Sequence, residues 1–131
     1  MANPLYDNLI GKHATNDAGF LRQPGRPTVS FRQFSERTSQ FANLLLKHGL
    51  KPGDRVAVQA SKTIEMVILY GATIQAGGIF LSLNTDYKKD EISYFIKDAS
   101  PKIFVCDPQK RKDLEDIADQ VGSQVLTLDK D

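Results

Sequence analysis

Polar side chains follow three short apolar runs of the sequence, at the places where each run stops. Ser61 comes after "RVAVQA", Asn84 after "IFLSL" and Asp107 after "KIFVC". If these runs are parallel strands, their carboxyl ends meet at one edge of a sheet, which is where open sheets bind ligands. A hydroxyl, an amide and a carboxylate can hold a polar ligand, so this edge is the first place to expect chemistry.

The sequence carries none of the motifs that usually perform catalysis around such a sheet. It has no GxGxxG fingerprint, no glycine-rich loop ending in Lys and Ser or Thr, and no serine in a nucleophile elbow. Its two histidines, His13 and His48, form no recognised metal-ligand pattern, and His48 is expected to cap a helix. The lone Cys106 is expected to be a small buried apolar residue. We therefore assign no catalytic and no metal-binding residue from these motifs.

The composition is that of one globular domain without charge bias. The chain has 131 residues, of which 40% are apolar and 25% charged, and its formal net charge is +1. This length fits a single domain, here residues 1–131, and the balanced charge argues against a nucleic-acid partner. One cysteine excludes an internal disulfide, and the N-terminal residues lack the apolar core of a signal peptide. These features predict a cytoplasmic protein.

An uncharged stretch from Met66 to Thr85 has the length of a membrane span. A spanning helix needs about 20 mainly apolar residues. The stretch contains Gly77 and Gly78 side by side, together with several polar residues, so it divides into pieces of ordinary core length. We therefore predict no membrane segment. We expect the double glycine to turn a buried helix sharply into a central strand.

Helical and strand patterns alternate along most of the chain. The clearest helix begins at Ser30, which can form a capping box with Gln33, and ends at Gly49 as a left-handed cap. Thr63 is expected to cap a second, mostly apolar helix, and Asp107, followed by proline, to cap the fourth. The predicted elements are helices 30–49, 63–77, 88–99 and 107–121 and strands 55–60, 79–83, 102–106 and 124–128. This alternation predicts an α/β fold with a mainly parallel sheet flanked by helices.

Three segments of the chain, in this order and spacing, carry a resemblance to a known family. They are the helix start "VSFRQF", the turn and strand "GLKPGDRVAV", and "QAGGIFLSLNTDY". In them the chain resembles the beginning of the adenylate-forming enzymes, which include acyl-CoA synthetases, luciferases and peptide-synthetase adenylation domains. "VSFRQF" resembles the first core motif of the family and "QAGGIFLSLN" the second. Gln75 stands where the family commonly has lysine and Ser82 where it commonly has proline, and both motifs belong to the scaffold.

The resemblance implies the N-terminal portion of the large domain of an adenylate-forming enzyme. Residues 83–111 look most like malonyl-CoA synthetases, which convert malonate, ATP and CoA with Mg²⁺ into malonyl-CoA, AMP and pyrophosphate through an acyl-adenylate. Medium-chain and aryl acids are the alternative substrates. The phosphate-binding loop and catalytic lysine of the family are expected beyond residue 131. The chain alone is therefore expected to be inactive and to bind none of these cofactors, and its expected partner is the remainder of the enzyme.

One candidate ligand contact falls within the chain. In members of the family that ligate CoA, the loop and helix start after the second motif can approach the CoA nucleotide, and here this region is 86–89. Lys88 and Lys89 stand at the amino end of a predicted helix, where ammonium groups and free backbone amides can bind a phosphate. We therefore predict a CoA phosphate contact at these two lysines. The alternative is a solvated helix start.

The main hypothesis is thus a fragment that acts as part of one longer enzyme chain. Two other hypotheses compete with it. One is a non-enzymatic α/β binding module, for example a signalling or scaffold domain. A phosphoacceptor receiver needs acids at the ends of two strands, and only Asp107 stands at such a place. The other is a fragment that assembles with the remainder supplied as a separate chain. For the isolated chain we predict exposed apolar surface and a tendency to associate.

Overall fold

A computed structural model describes residues 3–128 of the chain. The helices are α1 Pro4–Leu9, α2 Phe31–Lys47, α3 Ile64–Gln75, α4 Lys89–Ala99 and α5 Arg111–Asp119. The strands are β1 Gly19–Leu21, β2 Val29–Ser30, β3 Arg55–Gln59, β4 Ile79–Ser82, β5 Ile103–Cys106 and β6 Gln124–Thr127. The alternation predicted from residue 30 onward is confirmed, because α2 to α5 and β3 to β6 all fall within the predicted ranges.

Four strands form one parallel sheet in the order β4-β3-β5-β6. Val56 of β3 pairs with Phe80 of β4 on one side and with Ile103 of β5 on the other. The predicted parallel sheet is therefore confirmed, but the predicted central place of the strand after the double glycine is wrong. That strand, β4, lies at an edge of the sheet, and its first residue, Ile79, is 46% exposed. An apolar run indicates that other elements cover the strand, but it does not determine the position of the strand in the sheet.

Helices cover both faces of the sheet. On one face, Val56 belongs to an apolar cluster with Leu45 of α2 and the buried side of α3. On the other face, Phe104 of β5 packs in a cluster with Ile96 of α4 and Leu114 of α5. Burying a large apolar side chain stabilises a fold by about 1.5–3 kcal/mol. These two clusters therefore fix the sheet, and with it the edge where the strands end.

Capping residues set the starts of α2 and α3 as predicted. The Ser30 hydroxyl accepts a hydrogen bond from the Gln33 amide at 3.1 Å, and Gln33 Oε1 accepts one from the Ser30 amide at 2.9 Å. Gly49, just past the end of α2, has a φ of +91°. The Thr63 hydroxyl accepts a hydrogen bond from the Met66 amide at 3.3 Å. The local sequence signals for these helix ends are thus confirmed.

The double glycine makes the sharp turn between α3 and β4. Gly77 has a φ of +83°, which L-residues with a side chain rarely adopt. A side chain at Gly78 would approach the Asp54 carbonyl oxygen to 3.2 Å. The turn divides the uncharged stretch between a helix and a strand, and no helix within residues 3–128 has the length and apolar character needed to cross a membrane.

The first thirty residues contain elements that the sequence patterns do not reveal. Helix α1 precedes a short antiparallel pair of strands, β1 and β2. Ile10 and Val29 from this region pack with Phe34 of α2 and Ile68 of α3 in a third apolar cluster. Strands of two or three residues are too short to show a periodic pattern. The N-terminal region is therefore part of the core even though its sequence reads as loop.

The fourth predicted helix begins later than its sequence suggests. The sequence predicts Asp107 as its N-cap and Pro108 at its first position, and the structure has this arrangement at a preceding 3₁₀ turn and not at α5. Residues Pro108–Lys110 form a separate 3₁₀ turn, α5 starts at Arg111, and Asp107 makes no capping hydrogen bond. The Asp107 carboxylate instead accepts hydrogen bonds from Ser61, which lies beyond the end of a neighbouring strand.

Candidate functional site at the carboxyl edge of the sheet

The parallel sheet brings the ends of β3, β4 and β5 to one edge, as predicted. Ser61, Asn84 and Asp107 line a single cleft there, together with Lys62 and Lys110. The cleft has a volume of about 720 Å³. Its lining combines hydroxyl, amide and carboxylate groups with two cationic side chains. The edge can therefore receive a polar or anionic group.

A hydrogen-bonded pair joins the ends of β3 and β5 across this cleft. The Ser61 hydroxyl donates to Asp107 Oδ2 at 2.9 Å, and the Ser61 amide donates to the same oxygen at 3.1 Å. A nucleophilic serine needs a base that takes its proton, most often an imidazole. The two histidines of the chain lie elsewhere, His13 against the ring of Phe31 and His48 at the end of α2. The pair therefore connects the ends of these two strands by hydrogen bonds.

Gln59, the last residue of β3, supports the loop that joins β4 to α4. Its Nε2 donates to the carbonyl oxygen of Asn84 at 3.0 Å and to that of Tyr87 at 3.3 Å. The residue is fully buried. Within the loop, Asn84 Oδ1 accepts a hydrogen bond from the Asp86 amide at 2.9 Å. The sequence patterns do not single out Gln59, and the available signal was a large polar side chain inside an apolar strand.

The structure places Lys88 and Lys89 where α4 begins. Lys88 is the N-cap residue and Lys89 the first residue of the helix. The Lys88 amide donates to Glu91 Oε1 at 3.3 Å. An ammonium group cannot accept a hydrogen bond, so Lys88 leaves the first-turn amides of α4 without a side-chain cap. Both lysines line a small pocket of about 260 Å³ together with Gln59 and Lys110.

Two lysines of this region already contact oxygen atoms of the protein: Lys89 contacts a carboxylate and Lys110 a backbone carbonyl. Lys89 Nζ lies 3.8 Å from Asp113 Oδ1, and the two side chains are 66% and 65% exposed. Ion pairs this exposed contribute about 0–1 kcal/mol, because water already solvates both charges. Lys110 Nζ donates to the carbonyl oxygen of Thr85 at 3.2 Å. The contact with Asp113 therefore holds the Lys89 ammonium group only weakly.

Cys106 lies at the end of β5 beneath this edge and is buried, as predicted. Burial, assisted by the neighbouring Asp107 carboxylate, raises the pKa of its thiol to about 11. The thiol is therefore protonated at neutral pH and is a poor nucleophile. In the described part of the chain, no three His, Cys, Asp or Glu side chains are grouped to hold a metal ion.

A buried ion pair beside the edge is also missed by the sequence patterns. Arg26 donates two hydrogen bonds to Glu65, one to each carboxylate oxygen, at 2.6 and 2.7 Å. This contact holds the pKa of Glu65 below its ordinary value. The pair ties the loop before β2 to the amino end of α3. Its partners are 39 residues apart in sequence, so no local pattern could have indicated it.

Comparison with protein families and curated proteins gives consistent matches. The family model described as AMP-binding enzyme matches residues 11–131. Enterobactin synthase component F of Escherichia coli O157:H7 is 32% identical over 113 residues, which is 85% of this chain and 9% of the relative. The chain thus spans about a tenth of the length of this curated relative.

Solved structures share the fold over nearly the whole chain. The ATP-bound crystal structure of MatB from Rhodopseudomonas palustris has a TM-score of 0.92 and 41% identity, covering 97% of this chain and 25% of that chain. A benzoate CoA ligase from Burkholderia xenovorans LB400 has a TM-score of 0.85 at 15% identity, covering 98% and 26% respectively. The second likeness concerns the fold alone. The chain corresponds to about a quarter of each of these structures.

Proposed function

The chain belongs to the AMP-binding enzyme family, and on that premise we propose that it is the N-terminal part of an ATP-dependent acyl-CoA ligase. In this proposal residues 1–131 form a single α/β unit, the opening portion of a large adenylation domain. The observation that carries the proposal is the likeness to MatB, which combines 41% identity with coverage of 97% of the chain. The alternative of a non-enzymatic module accounts for neither the motif series nor this likeness.

The substrate that we propose for the whole enzyme is malonate. The enzyme would join malonate and CoA at the expense of ATP, releasing AMP and pyrophosphate, with Mg²⁺ as the metal. Support comes from the resemblance of residues 83–111 to malonyl-CoA synthetases. Medium-chain and aryl acids are the competing substrates.

Within that enzyme, this chain supplies scaffold and one edge of the binding surface. Its described residues offer a polar cleft, a pair of lysines at a helix start and no nucleophile activated by a base. The nucleotide loop and the catalytic lysine belong to the remainder of the enzyme, which is the partner of this chain in the proposal. We propose the cytoplasm as its location, because ATP and CoA are available there.

The decisive experiment measures AMP release by the complete enzyme with malonate, benzoate and a medium-chain fatty acid in parallel. Malonate-dependent and CoA-dependent AMP release, at least tenfold above that with the other acids, is the expected result. A preference for benzoate or the fatty acid would contradict malonate as the substrate but would be consistent with an acyl-CoA ligase reaction. Mixing residues 1–131 with the separately expressed remainder tests whether the two pieces assemble into an active enzyme.

Lys88 and Lys89 are the residues that we propose to contact a CoA phosphate. Their support is positional: both stand at the amino end of α4, whose first-turn amides have no side-chain cap from Lys88. The partial positive charge of a helix start adds to the two ammonium groups. Within residues 3–128, the ion pair of the Lys89 side chain is the exposed contact with Asp113, which leaves the ammonium group able to turn toward a ligand.

Changing Lys88→Glu together with Lys89→Glu in the complete enzyme tests this contact. We expect the KM for CoA to rise about tenfold, because two charge-assisted contacts become repulsive, while the KM for ATP stays constant. A control with the same charge change is Lys51→Glu with Lys102→Glu, which alters exposed lysines before β3 and β5, at the opposite edge of the sheet. An unchanged KM for CoA in the first variant would remove the proposed contact.

A further inference from the structure

The Gln59 amide has hydrogen-bond partners on its nitrogen but, within the described residues, none on its oxygen. Its Nε2 has two partners, the carbonyl oxygens of Asn84 and Tyr87, at 3.0 and 3.3 Å. Its Oε1 is buried and has no hydrogen-bond partner among the described residues. A buried acceptor without a partner is costly. An apolar side chain of similar size would avoid that cost. The contribution of Gln59 must therefore come from the hydrogen bonds that its Nε2 donates.

The orientation of this amide is fixed by its surroundings. Rotating it by half a turn would place Oε1 against the two carbonyl oxygens of Asn84 and Tyr87, where oxygen would face oxygen. The donating nitrogen must therefore point at the loop. Because Gln59 is fully buried at the end of a central strand, it has little freedom to move away.

The backbone ladder between β3 and β4 stops just short of this loop. Its last bond runs from the Leu83 amide to the Val58 carbonyl oxygen at 2.7 Å. Beyond that bond, the hydrogen bonds from β3 to the loop within residues 3–128 are the two that Gln59 donates. Residues 84–88 are themselves exposed. Among the described residues, the side chains that donate hydrogen bonds to carbonyl oxygens of this loop are the buried Gln59 and the exposed Lys110, which bonds Thr85.

We propose that Gln59 is a positioning residue that holds residues 84–87 in place and thereby sets where α4 begins. Its hydrogen bond to Tyr87 fixes the carbonyl that immediately precedes Lys88, the N-cap residue. Through this contact Gln59 places Lys88 and Lys89 for the phosphate, a consequence that rests on the proposed CoA contact. The loop-holding role stands on the structure alone.

The test is Gln59→Met in the complete enzyme, because methionine matches glutamine in length and removes both the donor and the unpaired oxygen. The control is Gln75→Met, the same change at a partly buried glutamine that donates to Ser39 at 3.2 Å, away from the loop. We expect hydrogen exchange of residues 84–88 to speed up, and the KM for CoA to rise about three- to tenfold with kcat unchanged. If the methionine variant does not fold, Gln59→Asn shortens the reach of the amide and replaces it.

The two readouts separate the positioning role from the ligand. Exchange of residues 84–88 that matches the wild type, in a folded Gln59 variant, overturns the proposal. Faster exchange together with a raised KM for CoA supports it. Faster exchange while the double lysine variant leaves that KM unchanged upholds the positioning by Gln59 and removes the CoA contact. If the lysine variant raises the KM and the Gln59 variant does not, Gln59 is not a positioning residue for the site.

Discussion

Glu65 is a carboxylate that is 2% exposed and is hydrogen-bonded through both oxygens to Arg26. A buried charge is tolerated when its partner compensates the loss of water. The hydrogen bond from Arg26 lowers the pKa of Glu65, and the nearby Arg37 acts in the same direction. The folded protein therefore favours the ionised form of Glu65. The pair stabilises the fold most strongly at a pH where Glu65 is ionised in the folded and in the unfolded protein.

Replacing Glu65→Gln should lower the free energy of unfolding by about 1–2 kcal/mol at pH 7, because the charge-assisted bonds are lost while the partly exposed Arg26 keeps some solvent. The difference from the wild type is expected to be constant above the ordinary carboxyl pKa of 4.5 and to shrink as the pH falls through the lowered pKa of the folded state. Denaturant unfolding of both proteins, over a pH series that starts at neutral pH and passes below the ordinary carboxyl pKa, measures it. A difference that does not depend on pH would contradict this account.

Single residues were predictable where their partners are close in sequence. Ser30 and Gln33 cap a helix three residues apart, and the pattern alone identifies them. Gln59 and Asp107 were not assigned their contacts, because those contacts join different strand ends that only the sheet brings together. The candidate site could thus be located from the sequence as an edge, while the bonds that organise it could not.

At the scale of elements, the connection from α3 to β4 depends on one glycine conformation. Gly77 has a φ of +83°, and its carbonyl oxygen accepts a hydrogen bond from the Gly53 amide at 2.9 Å. An added Cβ would lie 3.4 Å from Pro52, an ordinary contact distance. The requirement for glycine is therefore conformational and not a matter of space.

Gly77→Ala is expected to cost about 1–2 kcal/mol of unfolding free energy, because the left-handed conformation crowds the Cβ of an L-residue. Gly77→Asn should cost less, since asparagine tolerates this conformation better than other residues with side chains. Thermal unfolding of the two variants beside the wild type gives the comparison. Equal losses for alanine and asparagine would show that the side chain itself, and not the backbone angle, is the problem.

Elements of ordinary length were predictable because periodicity and caps act locally. The four longer helices and the four strands of the parallel sheet follow from such signals. The strands β1 and β2 did not, because three and two residues carry no period. The edge position of β4 also escaped prediction, since strand order depends on which crossovers pack best and leaves no mark on the strand itself.

At the scale of the whole molecule, the described residues leave apolar surface uncovered beside the last strand. Phe41, Leu44, Leu126 and Leu128 line a groove of about 280 Å³ between α2 and β6, and Leu44 is 48% exposed. The strands β4 and β6 form the two edges of the four-stranded sheet. Edges of this kind and apolar grooves both favour contact with further protein.

The isolated chain is therefore expected to bind a hydrophobic dye and to associate with rising concentration. Leu44→Lys should weaken this association about fivefold, because it places a charge in the groove. Tyr94→Lys is the matched control, since Tyr94 is 78% exposed on α4, which covers the opposite face of the sheet. Sedimentation of the three proteins over a concentration series measures the effect. A wild-type chain that stays monomeric and binds no dye would refute the expectation.

The order of strands in the sheet also governs when the chain can fold as it is made. The central strand β3 lies between β4 and β5, and β5 follows it in sequence only after two helices and another strand. Synthesis proceeds from the N-terminus at about 5–20 residues per second. The apolar strand β3 therefore waits several seconds with one side unpaired, and pairing over such long loops is intrinsically slow. A pause in synthesis before β5 has emerged from the ribosome would prolong that exposure, whereas a pause after β5 has emerged would give the sheet time to close.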